Sequence, residues 1–316
     1  MKENRKKGLG PGEKIPLSFD EAARIMFTNP NRMEPLNFLV SLVLGIPYKE
    51  VEGNIDLVNP RQNNYQIGKK KTECDIIVNF NTNTNKVGLI IEINIRDSLY
   101  ETIMNRNLFY MNRLFTSKLE SGEDYEELEK VLLVNFNNFY TDDIHKDLFD
   151  YYYLQNKYNH ILTEKQEILC INIEECFKLL YDNDMKFRNS YERDLFYLSC
   201  ALEAKKQKDF EYALSKIEID ESVKEMIMEV SEDMNNQDEL VSLFYDKDEE
   251  EQRIRNGIMK EIRRKAHADG IAEGALNKQK EMIMNMYHKN KLSIENIALY
   301  TDTDISKVKE ILGLEK

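Results

Sequence analysis

Two short hydrophobic runs separated by five turn-forming residues constrain this chain more than any other feature. Cys74–Phe80 and Val87–Ile95 alternate at period 2, the spacing of a strand, and Asn81-Thr82-Asn83-Thr84-Asn85 between them predicts a hairpin. On the first strand Asp75, Ile77 and Asn79 share a face, with Cys74, Ile76, Val78 and Phe80 on the other. On the second, Ile90, Glu92 and Asn94 share a face opposite Leu89, Ile91, Ile93 and Ile95. A turn centred near Asn83–Thr84 sets Asp75 opposite Glu92 with both carboxylates on one side, and residues so paired lie roughly 4.5–5.5 Å apart. Like charges that close repel, and an apolar sheet adds a desolvation cost to each. A divalent cation is the usual remedy; Lys or Arg from a neighbouring element is the other.

The elements around the hairpin predict an α/β core with a mixed sheet. Asp20–Phe27 reads as a short helix capped by Ser18 or Asp20, and a second helix runs from about Arg32 to Leu44 and stops at Gly45. Glu34 sits in its first turn, where a negative charge suits the helix N-terminus. Ile46–Asn59 reads as extended. Lys69, Lys70 and Lys71 then lead into the Asp75 strand, either as a solvated edge that blocks unwanted pairing or as phosphate contacts. Asp97–Leu119 reads as a long helix with Arg106 and Tyr110 one turn apart on one face, so that Arg106 pairs with a nearby Glu or clamps a phosphate. Val131–Phe139 and Ile168–Ile173 return as strands. Beyond Glu174 the pattern is helical, with segments at Tyr191–Lys205 and Val223–Met234, one long helix over Gln252–Asn290, and a terminal helical hairpin of Ile294–Tyr300 and Ile305–Leu312. Thr303 or Asp304 is the expected cap of the last helix. The expected divisions are a flexible arm at 1–16, an α/β domain at 17–180, a helical extension at 181–250, and a long helix with the hairpin at 251–316.

Composition narrows the function classes. A chain of 316 residues with 41% hydrophobic residues, 17 Tyr and 14 Phe can bury a substantial core despite being 32% charged. The net charge of −13 speaks against a protein that coats nucleic acid generally, while leaving room for a local basic strip. Four scattered Cys without a CxxC pair indicate buried thiols rather than a zinc site or a disulfide framework, and the four His show no ligand spacing. No apolar run is long enough to span a bilayer, and Met1–Pro16 has no secretory h-region, so a cytoplasmic chain with no membrane partner is expected.

Taken together, the Lys-rich approach to Asp75, the hairpin turn, Glu92-Ile93-Asn94 within a hydrophobic strand, and the helix bearing Arg106 and Tyr110 resemble the PD-(D/E)XK nuclease superfamily. The likeness is to its transposase-like, recombination-promoting nuclease type, over about Leu17–Asn138 with a fainter echo near the C-terminus. The resemblance implies a restriction-endonuclease-like core at 17–180 and a DNA endonuclease. Mg²⁺ (or Mn²⁺) would be held by Asp75, Glu92 and the backbone carbonyl of Ile93, with Glu34 as an additional acidic group. It further implies that Asn94 orients the attacking water, and that Lys69, Lys70, Lys71, Arg106 and Tyr110 contact DNA. Any homo-oligomer is expected to form through the C-terminal helices. One position departs from the family pattern: Asn94 stands where Lys or Gln is expected. That keeps a second reading open, a catalytically inactive nucleic-acid-binding or protein-interaction module on the same fold.

Overall fold

The computed structural model describes residues 8–58, 75–95, 100–119, 122, 124–138, 146–246, 278–288 and 292–314. Lys69, Lys70, Lys71 and Cys74 lie outside the described residues, as does most of the expected long helix at 252–277. The chain divides into two compact units, Met1–Tyr245 and Asp246–Lys316.

The first unit is built on a mixed sheet of six described strands: β1 (Ile55–Val58), β2 (Ile76–Asn81), β3 (Lys86–Ile95), β4 (Lys130–Asn137), β5 (Phe149–Gln155) and β6 (Ile161–Asn172). Their spatial order is β1-β2-β3-β4-β6-β5. β1, β2 and β3 pair antiparallel, β3, β4 and β6 run parallel, and β5 closes the far side antiparallel to β6. The turn between β2 and β3 is stapled locally: the Thr82 N–H donates to the Asn85 carbonyl at 2.8 Å, and the Asn85 N–H to Thr82 Oγ1 at 3.0 Å. It sets Ile76 opposite Ile91 and Ile77 opposite Ile90, the register expected from the turn.

Helices cover both faces. On one side, α1 (Asp20–Phe27), α2 (Glu34–Leu44), α6 (Ser190–Glu203), α7 (Gln207–Ser215) and α8 (Glu221–Asn235) share the main core with Val78, Phe80, Leu89, Ile91, Val134, Phe136 and Ile171. The other face is covered by α4 (Tyr100–Thr116), the crossover between the parallel strands β3 and β4. Its Met111 and Leu114 pack with Ile77, Ile90, Val131, Leu133, Ile168 and Cys170. The helix comes so close to the sheet that a Cβ on Gly88 would stand 3.2 Å from Leu114 Cδ2 and 3.0 Å from Lys118 Cε.

Several boundaries differ from those read in the sequence. The stretch after Gly45 first makes a single helical turn, α3 (Tyr48–Val51), started by Pro47, and only then enters β1. β5 was not foreseen, and β6 begins at Ile161 rather than near Ile168. Phe19, not Ser18 or Asp20, is the N-cap of α1 and makes no side-chain cap bond, because the chain enters α1 pinned by its backbone: the Ser18 N–H donates to the Leu202 carbonyl at 2.9 Å. α5 (Ile173–Lys178) is capped instead by a side chain, Asn172 Oδ1 accepting from the Glu175 N–H at 3.1 Å. In the second unit, residues 278–288 are helical and pack with helices Ile294–Thr301 and Ile305–Ile311 around Ile283, Ile297, Ala298 and Val308. Asp304 is the N-cap of the last helix, without a side-chain cap bond.

Ahead of α1, a buried lysine ties the entry segment to the helical layer. Lys14 is 1% exposed; its Nζ donates to the Ile15 carbonyl at 2.7 Å and lies 4.2 Å from the centroid of the Phe210 ring. Burial pushes its pKa down to about 7, from 10.5 in the unfolded chain. Between those values the unfolded chain binds more protons than the folded one, so stability rises with pH through that window. Lys14→Met is expected to abolish this rise and to stabilise the protein below neutrality. Urea midpoints at about pH 6 and about pH 9 measure it, and an undiminished slope in the variant would place its origin elsewhere.

Candidate active site

Asp75 immediately precedes β2 and Glu92 lies near the end of β3, one pair beyond the last described match of the two strands. Alternation puts both on the α4 face, in line with Ile77 and Ile90. Where β2 gives out, the Asp75 side chain substitutes for the missing backbone partner: the Ile93 N–H donates to Asp75 Oδ2 at 2.9 Å. A strand residue directs its N–H and C=O to the same neighbour, so the Ile93 carbonyl leaves β3 on the Asp75 side. Burial raises the Asp75 carboxyl above its ordinary pKa, the Ile93 N–H offsets part of this, Asp20 raises it further, and Arg106 and Arg24 lower it.

Glu92 is 3% exposed. Arg106 Nη2 on α4 donates to its Oε2 at 3.1 Å, and the same guanidinium lies 5.8 Å from the centroid of the Tyr110 ring, one helical turn on. The spacing that placed Arg106 and Tyr110 on one face therefore serves to neutralise the buried carboxylate. Tyr110 packs at the edge of the cluster under α4.

Glu34, in the first turn of α2, acts electrostatically on Tyr48, whereas the helical charges that act on Asp75 are Asp20 and Arg24 of α1 and Arg106 of α4. The signal for Asp20 and Arg24 was their spacing of four on a short amphipathic helix, but nothing local says which strand that helix crosses. Asn94 falls where the β3–β4 register shifts, between Ile93 opposite Phe136 and Ile95 opposite Asn137, so simple alternation from Glu92 does not carry across it. The side chain of Asn94 lies outside what is described, as do Lys69, Lys70 and Lys71.

Around Glu92 the α4 face changes character at one level of the sheet. Along β3, Ile90 gives way to Glu92; along β4, Leu133 gives way to Asn135 and then Asn137; on β6, Ile168 is followed by Cys170 and Asn172. On α4 the buried stripe of Leu114 and Met111 continues at Asn107. Asn107 and Asn135 are 0% exposed and Asn137 is 1% exposed. Both amide atoms of Asn107, and the Oδ1 atoms of Asn135 and Asn137, make no hydrogen bond among the described residues. Val-Leu-Leu-Val-Asn-Phe-Asn carried the same signature as the Glu92 strand, polar residues at alternate positions in an apolar run, and could have been read the same way.

Among the described residues no three acidic, His or Cys side chains form a ready-made metal cluster. The donors present are nevertheless hard oxygens suited to a small divalent cation: Asp75 with a second carboxylate oxygen beyond the one facing Ile93, Glu92, and the Ile93 carbonyl. No described helix is long and apolar enough to cross a membrane. A sequence model of the family described as PD-(D/E)XK nuclease family transposase matches residues 19–260, well beyond the Leu17–Asn138 stretch that carries the motif and through α6, α7 and α8. No curated protein and no solved structure matches the chain.

Proposed function

The chain belongs to the PD-(D/E)XK nuclease family transposases, and from that premise we propose that it is a divalent-metal-dependent DNA endonuclease that hydrolyses phosphodiester bonds in recombination or transposition. The observation that carries this reading is the placement of Asp75 and Glu92 at matched positions on one face, with the Ile93 main chain between them. Asp75, Glu92 and the Ile93 carbonyl would hold Mg²⁺ or Mn²⁺. When bound, the cation supplies Lewis-acid polarisation of the scissile phosphate and a water of lowered pKa.

The chain's own residues do the rest. Arg106 holds the Glu92 carboxylate through an ion pair and would be free to hold a phosphate when that carboxylate serves a cation. Tyr110 supports the guanidinium. Asn94 would hydrogen-bond the attacking water, and Lys69, Lys70 and Lys71, which enter Asp75 along the sequence, would contact the DNA backbone. We place the protein in the cytoplasm, supported by Cys170, Cys176 and Cys200 being buried free thiols. We also assign any self-association to the C-terminal helices, where Leu299 and Tyr300 are exposed.

A second reading is favoured by one residue. Asn94 offers a shorter reach than Gln and no charge where Lys would bring one, which suits a binding module that kept the nuclease fold. Supercoiled-plasmid nicking with Mg²⁺ or Mn²⁺, wild type against Asp75→Ala, separates the two. Nicking lost in the variant supports the nuclease. Wild type that binds DNA and cation without cutting establishes the binding module.

A further inference from the structure

The Glu92 carboxylate has a neighbour that the nuclease motif does not include. Asn135 is its partner in the parallel β3–β4 register, on the same face and fully buried. The next strand places Cys170 opposite Asn135, with the amide nitrogen 3.6 Å from Cys170 Sγ and the amide oxygen left without a hydrogen bond. In that assignment the amide spends its donor on the sulfur and leaves a buried oxygen without one, while the residue paired with Asn135 on β3 is a carboxylate that can only accept.

Turning the amide over leaves every heavy atom in place and resolves the conflict. Cys170 is 3% exposed and burial pushes its thiol pKa up to about 12, so its sulfur carries a proton that needs an acceptor. The thiol then donates to Asn135 Oδ1, and Asn135 Nδ2 is left to donate toward Glu92. The amide becomes a link whose direction is fixed at one end by a group that can donate and at the other by a group that can only accept.

We propose that Asn135 is a positioning residue, held by the Cys170 thiol and holding the Glu92 carboxylate in the orientation that accepts a divalent cation. The inference rests on the proposed cation site and adds the residues that orient its ligand. Partners of this kind, one bond removed from a metal, typically change its affinity about 10- to 100-fold when removed. Asn107, buried one helical turn from Met111 on the facing helix, closes the same polar region and carries two further unpartnered amide atoms.

The test is Mn²⁺ affinity of the full chain by electron paramagnetic resonance, alongside thermal unfolding without metal. Asn135→Leu keeps the branched outline of the side chain and removes a buried polar group, so Tm is expected to hold or rise while Mn²⁺ binds about 10- to 100-fold more weakly. Cys170→Ala is expected to weaken binding, whereas Cys170→Ser, which retains a donor, restores it. Asp75→Asn provides the reference. Weaker binding in Asp75→Asn with none in Asn135→Leu overturns the positioning role alone; unchanged binding in both overturns the cation site with it. Equal losses in the two Cys170 variants, or weaker binding that tracks a fallen Tm, mark structural damage and also overturn the proposal. Should Asn135→Leu fail to fold, the Cys170 pair decides.

Discussion

Asp75→Asn is expected to abolish cation-dependent plasmid nicking, by about a thousandfold or more, while leaving Tm unchanged or higher. Cation stabilisation of a phosphoryl transition state is worth several kcal/mol, and about 4 kcal/mol corresponds to a factor of about a thousand. The fold gains because the native state disfavours this carboxylate. Burial raises its pKa above the unfolded value, so the folded chain binds more protons and stability falls as pH rises from the unfolded pKa through the folded one. An amide oxygen in the same place still accepts from the Ile93 N–H and carries no charge to desolvate. Glu92→Gln is expected to lose the same activity. Gel-based nicking and a melt over acidic to neutral pH measure both effects. Wild-type nicking by Asp75→Asn would remove Asp75 from the site.

Arg106→Ala is expected to destabilise the fold markedly. It strips the counter-charge from a carboxylate that is 3% exposed. Breaking such a pair from one side typically costs about 3–5 kcal/mol, on the order of a 10 °C drop in Tm for a unit of this size. The double variant Glu92→Gln/Arg106→Ala should recover much of that loss, because the carboxylate that lost the Arg106 counter-charge is neutral as well. Melting the wild type, both single variants and the double variant in EDTA completes the cycle. Additive losses would show that the two residues are energetically independent despite the 3.1 Å contact.

The hairpin register was legible because it depends on local chemistry alone: a five-residue turn of Asn and Thr between two alternating strands leaves little choice of pairing. α1 and the end of α2 at Gly45, whose φ is 64°, were legible for the same reason. β5 was not, because Phe149–Gln155 is an outer strand with mostly exposed side chains, so no two-residue hydrophobic rhythm marks it. The short α3 turn was hidden in a stretch whose only buried residue is Val51. The helical spacing of Arg106 was readable, but its choice of Glu92 as partner depends on how α4 lies across β3. Which of Glu34 and Asp20 comes within electrostatic reach of Asp75 likewise depends on helix crossing, a property of the assembled layers rather than of either segment.

If Glu92 holds a cation as proposed, the Arg106–Glu92 pair would also set how the protein responds to cation concentration. A guanidinium on the ligand carboxylate is an internal competitor, always present at the same effective concentration. If the pair is closed in all but one molecule in a hundred, the apparent affinity for the cation is about a hundredfold weaker than the open site would show. The response curve keeps its shape but moves to higher concentration, so the chain would stay uncharged with metal in cation-poor conditions and load only at correspondingly higher concentrations. DNA adds a second input, since a phosphate that draws Arg106 away frees Glu92. Metal and substrate would then favour each other's binding, and the proposed centre would assemble chiefly where both are present.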